Sequence, residues 1–237
     1  MNPQATALRT RIKVCGLTRE QDLQAAVAAG VDAIGFVLYT KSPRAVSAER
    51  AAELARLLPP FVTPVLLFVN PEPSDVAAAC ALLPTALLQF HGDESASRCQ
   101  FLAAGRAYLR AARIPIGPAG ADFDLVKYVF DYSQAQAILL DAHVEGFGGG
   151  GKAFNWSLLP PSVIAHLVLS GGLNAANVGD GIALLRPRCK SLAVDVSSAV
   201  EVDAPGGGTL KGIKDPEKMN QFVAAVRAAD QRLAGLT

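Results

Sequence analysis

Eight short apolar runs, rich in β-branched residues, recur along the chain and dominate what it can fold into. They read as strands at Ile12–Leu17, Ala33–Tyr39, Pro64–Asn70, Ala86–His91, Ala107–Ile114, Gln136–Asp141, His166–Ser170 and Ser191–Ser197. They start about 21 to 30 residues apart, which is the length of a strand–loop–helix–loop unit. Nearly unbroken apolar character is what parallel strands show when both faces are covered. The segments between them read as helices. Arg19–Ala29 carries Leu23 and Val27 at helical spacing, and Gly30 follows as a stop. Ser47 opens a second helix that Pro59 and Pro60 close. Ser74-Asp75 opens a third, Asn174 a seventh, and a last helix runs from about Asp215 to Leu233. Eight such units predict a single-domain α/β protein, a (β/α)8 TIM barrel over residues 12–237, with residues 1–11 a flexible N-terminal tail. An open doubly wound sheet is the alternative, but it seldom uses eight regular units in one chain.

Composition narrows the function. Apolar residues make up 51% and charged residues 18%, enough for a sizeable core and too apolar for a disordered chain. Lys+Arg number 22 against 21 Asp+Glu, so there is no broad basic face and nucleic acid is not an expected partner. Charges interrupt every apolar stretch before the roughly 18 residues that a membrane span needs. Residues 1–11 lack the apolar core of a secretory signal. No membrane partner and a cytoplasmic location are expected. Cys15, Cys80, Cys99 and Cys189 lie far apart, and His91, His143 and His166 are scattered. Neither a disulfide framework nor a metal site is expected, and a reducing compartment fits.

In such a barrel the chemistry gathers at the C-terminal ends of the strands. Those ends carry Cys15-Gly16, Ser42-Pro43-Arg44, Asn70, His91-Gly92-Asp93, Arg110, Asp141, Gly171-Gly172 and Asp195 through Ser198. Gly171-Gly172 and Ser197-Ser198 follow strands seven and eight, where loops commonly hold phosphate through backbone N–H groups. Glycine allows close approach to the anion, and serine adds a hydroxyl donor. The blander reading of Gly171-Gly172 is a strand-to-helix turn. Gly148 to Gly151, after strand six, reads as a lid, a phosphate nest or a flexible connection. Cys15 is a general-base candidate if nearby cations lower its pKa, whereas the other cysteines read as inert small hydrophobes. Asp141 is the matching acid if burial raises its pKa, or else the cap of a turn. Alternation puts Lys13 and Cys15 on one face of the first strand. An inward Lys13 needs a partner, and Asp195 on the neighbouring eighth strand supplies it, as scaffold or as machinery. Arg44 is a surface cation or a carboxylate fork, and His91 a substrate contact or a loop cap.

Taken together, the motifs form a pattern. It comprises Lys13-Val-Cys-Gly-Leu-Thr18, Gly35-Phe-Val with Ser42-Pro-Arg44, Phe68-Val-Asn70, Leu88-Gln-Phe-His-Gly-Asp-Glu94 and Leu139-Leu-Asp141. It continues with Gly148-Gly-Gly-Gly-Lys152, Phe154-Asn-Trp156, Leu169-Ser-Gly-Gly-Leu-Asn174 and Val194-Asp-Val-Ser-Ser198. From about residue 12 to residue 228 the chain resembles the phosphoribosylanthranilate isomerase family of tryptophan biosynthesis. The resemblance implies an aldose–ketose isomerase with no metal or organic cofactor. It would convert N-(5-phosphoribosyl)anthranilate to 1-(2-carboxyphenylamino)-1-deoxyribulose 5-phosphate by an Amadori rearrangement. It implies that Asp141 is the acid protonating the furanose ring oxygen and Cys15 the base removing the C2′ proton. It sets Arg44 against the anthranilate carboxylate and Asp195 beside the substrate. It sets phosphate at Gly149, Gly151, Gly171, Gly172, Ser197 and Ser198. With His91 as a further substrate contact, the expected partner is this small molecule, bound by a monomer or homodimer.

Some positions depart from the family's usual pattern. Gly150 stands where Thr or Ser is common, Asn155 where Asp is usual and Ala199 where Gly is common; the Val202–Lys211 segment is long. Three rivals are weaker. An indole-glycerol-phosphate synthase would need more strand-end lysines. A metal-using pentose-phosphate epimerase would need paired His and Asp ligands. A catalytically silent phosphate-binding barrel would have lost Cys15 or Asp141.

Overall fold

Segments of valine, leucine and isoleucine with no polar face can satisfy their backbone only by pairing with each other under a cover of helices. The computed structural model describes residues 9–143 and 155–235 and shows that solution. The strands are β1 (Arg11–Cys15), β2 (Ala33–Val37), β3 (Thr63–Phe68), β4 (Leu87–Phe90), β5 (Tyr108–Pro115), β6 (Ala137–His143), β7 (Val163–Leu169) and β8 (Cys189–Val196). They pair in sequence order, all parallel, and β8 closes on β1 to complete the barrel. Each of the eight expected runs holds one strand, with ends shifted by a few residues.

The helices are α1 (Glu20–Ala29), α2 (Ala48–Ala55), α3 (Pro73–Leu82), α4 (Ala96–Ala103), α5 (Leu125–Asp131), α6 (Val178–Leu185) and α7 (Pro216–Ala234). Gly30 ends α1 in the left-handed conformation, φ 87°. Ser47 caps α2 by accepting from the N–H of Arg50. That helix ends at Ala55, ahead of Pro59-Pro60. α3 starts at Pro73 instead of Ser74-Asp75, because proline suits the first helical position. Asn174 caps a turn, and α6 begins four residues later at Val178. Asp215 caps α7 through the N–H groups of Glu217 and Lys218.

Two units depart from the regular plan. Between β6 and β7 the described residues form only a 3-10 turn, Trp156–Leu158. The glycine stretch with Gly149 and Gly151 lies outside the described residues. After β8 the long segment forms a hairpin, β9 (Glu201–Asp203) with β10 (Thr209–Lys214). Gly207 and Gly208, both at positive φ, make its turn. The expected tail also shortens. β1 begins at Arg11, and Thr10 is fully buried, bonded through its N–H and hydroxyl to Asp230 of α7. Residues 1–8 lie outside the described set.

Odd-numbered strand residues point into the barrel, except on β7, where an irregularity between Val163 and His166 turns the even-numbered Val168 inward. Val65, Leu109, Ala111, Ala137, Leu139 and Val168 fill its interior. Cys15, Val37, Leu67 and Val69 cluster towards its C-terminal end. Even-numbered residues such as Ile12, Val14, Leu66 and Phe90 join the belt of core between sheet and helices. This alternation carries the functional consequence, because it selects which strand-end polar groups face the barrel mouth.

Candidate active site

Lys13 and Cys15 both face inward on β1, and Asp195 is the register partner of Lys13 on β8. Lys13 Nζ lies 2.9 Å from Asp195 Oδ1, both side chains buried. The expected pair is therefore present. Removing either partner would strand a buried charge, at a cost of about 3–5 kcal/mol. Opposite Cys15 on β2 stands Gly35, where a Cβ would lie 2.7 Å from the Cys15 sulfur and 3.1 Å from Lys13 Cε. The thiol and the ammonium stem therefore share the space that Gly35 leaves open. Burial pushes the Cys15 thiol above its ordinary value. Lys13 and Lys214 pull against that shift, and Asp195 adds to it. Lys13 is raised: burial works against its charge, but Asp195 and Cys15 outweigh it.

Asp141, on β6, is buried and brought together with His91, which follows β4. His91 Nε2 lies 2.9 Å from Asp141 Oδ2, and the N–H of Ala142 donates to Oδ1 at 2.9 Å. One carboxylate oxygen thus has a backbone donor and the other a ring nitrogen as its partner. The loop that aims His91 is held by Glu94, which accepts from the N–H groups of Asn70 and Gly92. Arg110, expected only as a strand-end cation, points outward, pairing with Glu94 at 2.8 Å and donating to the carbonyls of Phe90 and Gly92. It fixes the loop and does not face the mouth.

Arg44 sits in the turn after β2, where Ser42 accepts from its N–H. Its guanidinium is buried and forks onto Glu201, Nε to Oε1 at 2.6 Å and Nη2 to Oε2 at 2.9 Å. Neither the surface reading nor an open fork describes it: two of its nitrogens are engaged within the protein. Glu201 is fully buried and also accepts from the Gly212 N–H and the Thr209 hydroxyl. Burial alone would raise its carboxyl, but the bonds from Arg44 and the charge of Lys214 hold it down at about 2. Lys214, equally buried, donates to the Ser197 carbonyl at 2.9 Å and sits 3.4 Å from Glu201 Oε1. Burial lowers its ammonium to about 8, against the pull of Glu201.

Gly171 and Gly172 follow β7 at φ 75° and 67°. A Cβ on Gly171 would lie 2.7 Å from Asp141 Oδ1, so this glycine also clears space for the acid candidate. Ser197 donates its hydroxyl to the Cys15 carbonyl at 3.0 Å, and Ser198 opens a 3-10 turn. Gly149 and Gly151 are outside the described residues. Glu201, Lys214 and Gln89 were not singled out from the sequence. Lys214 and Glu201 fall in or beside a segment that reads as loop, and Gln89 was visible only as an odd-numbered polar residue in β4. Among the described residues no group of three His, Cys, Asp or Glu side chains could hold a metal. No helix among them is long and apolar enough to cross a membrane.

Known proteins share this architecture. The family model described as N-(5'phosphoribosyl)anthranilate (PRA) isomerase matches residues 12–225. A relative from Methylibium petroleiphilum named N-(5'-phosphoribosyl)anthranilate isomerase is 60% identical, over 96% of this chain and 98% of its own length. The phosphoribosyl anthranilate isomerase structure from Thermotoga maritima is 35% identical with a TM-score of 0.77, covering 92% of this chain and 99% of that one. A further solved isomerase, 31% identical with a TM-score of 0.71 over 92% of this chain and 99% of that one, is in complex with reduced 1-(o-carboxyphenylamino)-1-deoxyribulose 5-phosphate. On the match across all eight units, the chain belongs to the phosphoribosylanthranilate isomerase family.

Proposed function

We propose that this chain catalyses the Amadori rearrangement of N-(5-phosphoribosyl)anthranilate with Asp141 as general acid and Cys15 as general base. The observation that carries the assignment is the setting of Asp141. It is an inward carboxyl at a strand end, with the Ala142 N–H on one oxygen and the His91 ring nitrogen on the other. Where these donate, they stabilise the carboxylate that remains once a proton has been given away. Ring opening and enolisation each need one proton transfer, so one acid and one base suffice.

Asp141 gives its proton to the furanose ring oxygen as the C1′–O bond opens, and the anilino nitrogen supplies the electron pair that forms the Schiff base. Cys15, as thiolate, then takes the C2′ proton. The C–H electrons form the C1′=C2′ double bond and the C=N electrons return to the nitrogen, giving an enol-amine that tautomerises to the ketone. Lys13 and Lys214 favour the thiolate but do not overcome burial, which keeps the thiol raised until a base is called for. Arg44 receives the anthranilate carboxylate, held in place by Glu201 on Nε and Nη2. Asp195 acts on the substrate side by holding Lys13 beneath the thiol. The loops with Gly171, Gly172, Ser197 and Ser198 take the phosphate, and by resemblance so do Gly149 and Gly151. The free cysteines and the biosynthetic role support a cytoplasmic setting.

The test is turnover of phosphoribosylanthranilate generated in situ, followed by loss of anthranilate fluorescence. Asp141→Asn and Cys15→Ser should each lower kcat by roughly 10²- to 10⁴-fold. Full activity in either variant removes that residue from its role. No turnover by the folded wild-type protein would favour the silent phosphate-binding barrel.

A further inference from the structure

Gln89 is a fully buried amide whose oxygen has no hydrogen-bond partner among the described residues. It lies on β4 and faces the barrel interior, two residues before His91. Its register partners, Leu67 on β3 and Leu109 on β5, offer it no side-chain polar group. Among the described residues its Oε1 has no hydrogen-bond partner, while its Nε2 lies 3.0 Å from His91 Nδ1. An unpaired buried amide oxygen is a liability that an apolar residue of the same size would avoid. The contact with His91 is what the glutamine provides. With the amide nitrogen turned towards His91, Nδ1 accepts, and a neutral ring then carries its proton on Nε2. That nitrogen faces Asp141 Oδ2 at 2.9 Å.

We propose that Gln89 is a positioning residue, which keeps the proton of Asp141 turned towards the substrate by holding His91 in its Nε2–H form. The inference rests on the reading of Asp141 as general acid. With Nε2–H donating to Oδ2 and the Ala142 N–H donating to Oδ1, one lone pair on each carboxyl oxygen is taken. The acidic O–H must use a remaining direction, away from both donors. When it transfers, the O–H bond of Asp141 breaks, its electron pair stays on the carboxylate, and the proton joins the ring oxygen. The two donors remain in place. With the proton on Nδ1 instead, Nε2 would be a bare acceptor. The acid would then point its O–H at His91 and withhold it from the substrate.

The tautomer can be read directly by ¹⁵N NMR of the imidazole in the wild-type protein, with His91 assigned by its absence from His91→Asn. We expect the one-bond N–H coupling at Nε2 and a bare Nδ1. A proton on Nδ1 in the neutral wild-type ring overturns the proposal. In Gln89→Met, a near-isosteric change that removes the donor, the Nε2–H preference should weaken. kcat should fall roughly 10- to 100-fold, part of what a general acid contributes, with KM within about twofold. Gln89→Glu, which can only accept from Nδ1, should show Nδ1 protonated and a fall in kcat at least as large. An unchanged tautomer or an unchanged kcat in folded Gln89→Met overturns the proposal. Failure of the underlying reading looks different, because Asp141→Asn would then keep its rate. Failure of this proposal alone leaves Asp141→Asn inactive and Gln89→Met fully active.

Discussion

Three glycines clear the space that three reactive side chains occupy. A Cβ on Gly35 would meet the Cys15 sulfur at 2.7 Å, one on Gly171 would meet Asp141 Oδ1 at 2.7 Å, and one on Gly16 would meet Arg44 Cδ at 2.5 Å. Gly16 and Gly171 also hold positive φ, so any substitution there adds backbone strain. Gly35 does not, which makes Gly35→Ala the cleaner test. The cheapest relief is to move the thiol. Stability should fall by about 1 kcal/mol, the low end for overpacking, read as a urea midpoint at unchanged slope. kcat should fall by up to roughly 10²-fold, because the base is displaced from its line of attack. An alanine variant with full kcat would show that the thiol's position is not critical. Alternation makes Lys13 and Cys15 legible on one face of the first strand, and the closure of strand eight on strand one makes Asp195 legible as the partner of Lys13. Gly35 was not legible as their counterpart, because that needs the Cys15-to-Gly35 register between β1 and β2.

At the scale of elements, the β9–β10 hairpin supplies the clamp on Arg44. It brings Glu201 and Lys214 into the barrel mouth from a stretch that, by its glycines, reads as loop. Glu201→Gln keeps the shape and removes the charge, so it should loosen the Arg44 fork. KM should rise by roughly tenfold, as expected for weakening a hydrogen bond to a charged group, with kcat little changed. The same variant should alter the pH dependence of stability. The folded-state carboxyl of Glu201 lies at about 2, below its ordinary 4.5, so its contribution is full above 4.5 and lost as pH falls towards 2. Lys214 has the opposite sense. Its ammonium is depressed from 10.5 to about 8, so its burial costs stability below pH 8, and the cost is relieved as pH rises through 8 to 10.5. Urea titrations across pH should show a shallower acid limb for Glu201→Gln than for wild type. Equal acid limbs would remove Glu201 from the account. Strand number, order and most helix starts were legible, because apolar runs, caps and stops are written locally. The hairpin was not, because its pairing depends on what Glu201 and Lys214 meet across the barrel.

The whole molecule places its charge unevenly. On the β1, β2 and β8 side of the mouth, Lys13, Arg44 and Lys214 carry three positive charges against the two negatives of Asp195 and Glu201, all buried. One positive charge is left for an anion, a role that the Cys15 thiolate or a bound anionic substrate fills. The acid stands apart on β6, three strands from β1 around the ring, with His91 and Gln89 beside it. The division into a cationic base side and a hydrogen-bonded acid side is what a closed parallel barrel makes possible, since its strand ends face one another across a shared mouth. The most direct test is a crystal structure of this chain with reduced 1-(o-carboxyphenylamino)-1-deoxyribulose 5-phosphate. The account predicts phosphate on the loops after β7 and β8, the carboxylate at Arg44, and C2′ between the Cys15 sulfur and the Asp141 carboxyl. An analogue seated with its C2′ region remote from both side chains would contradict it.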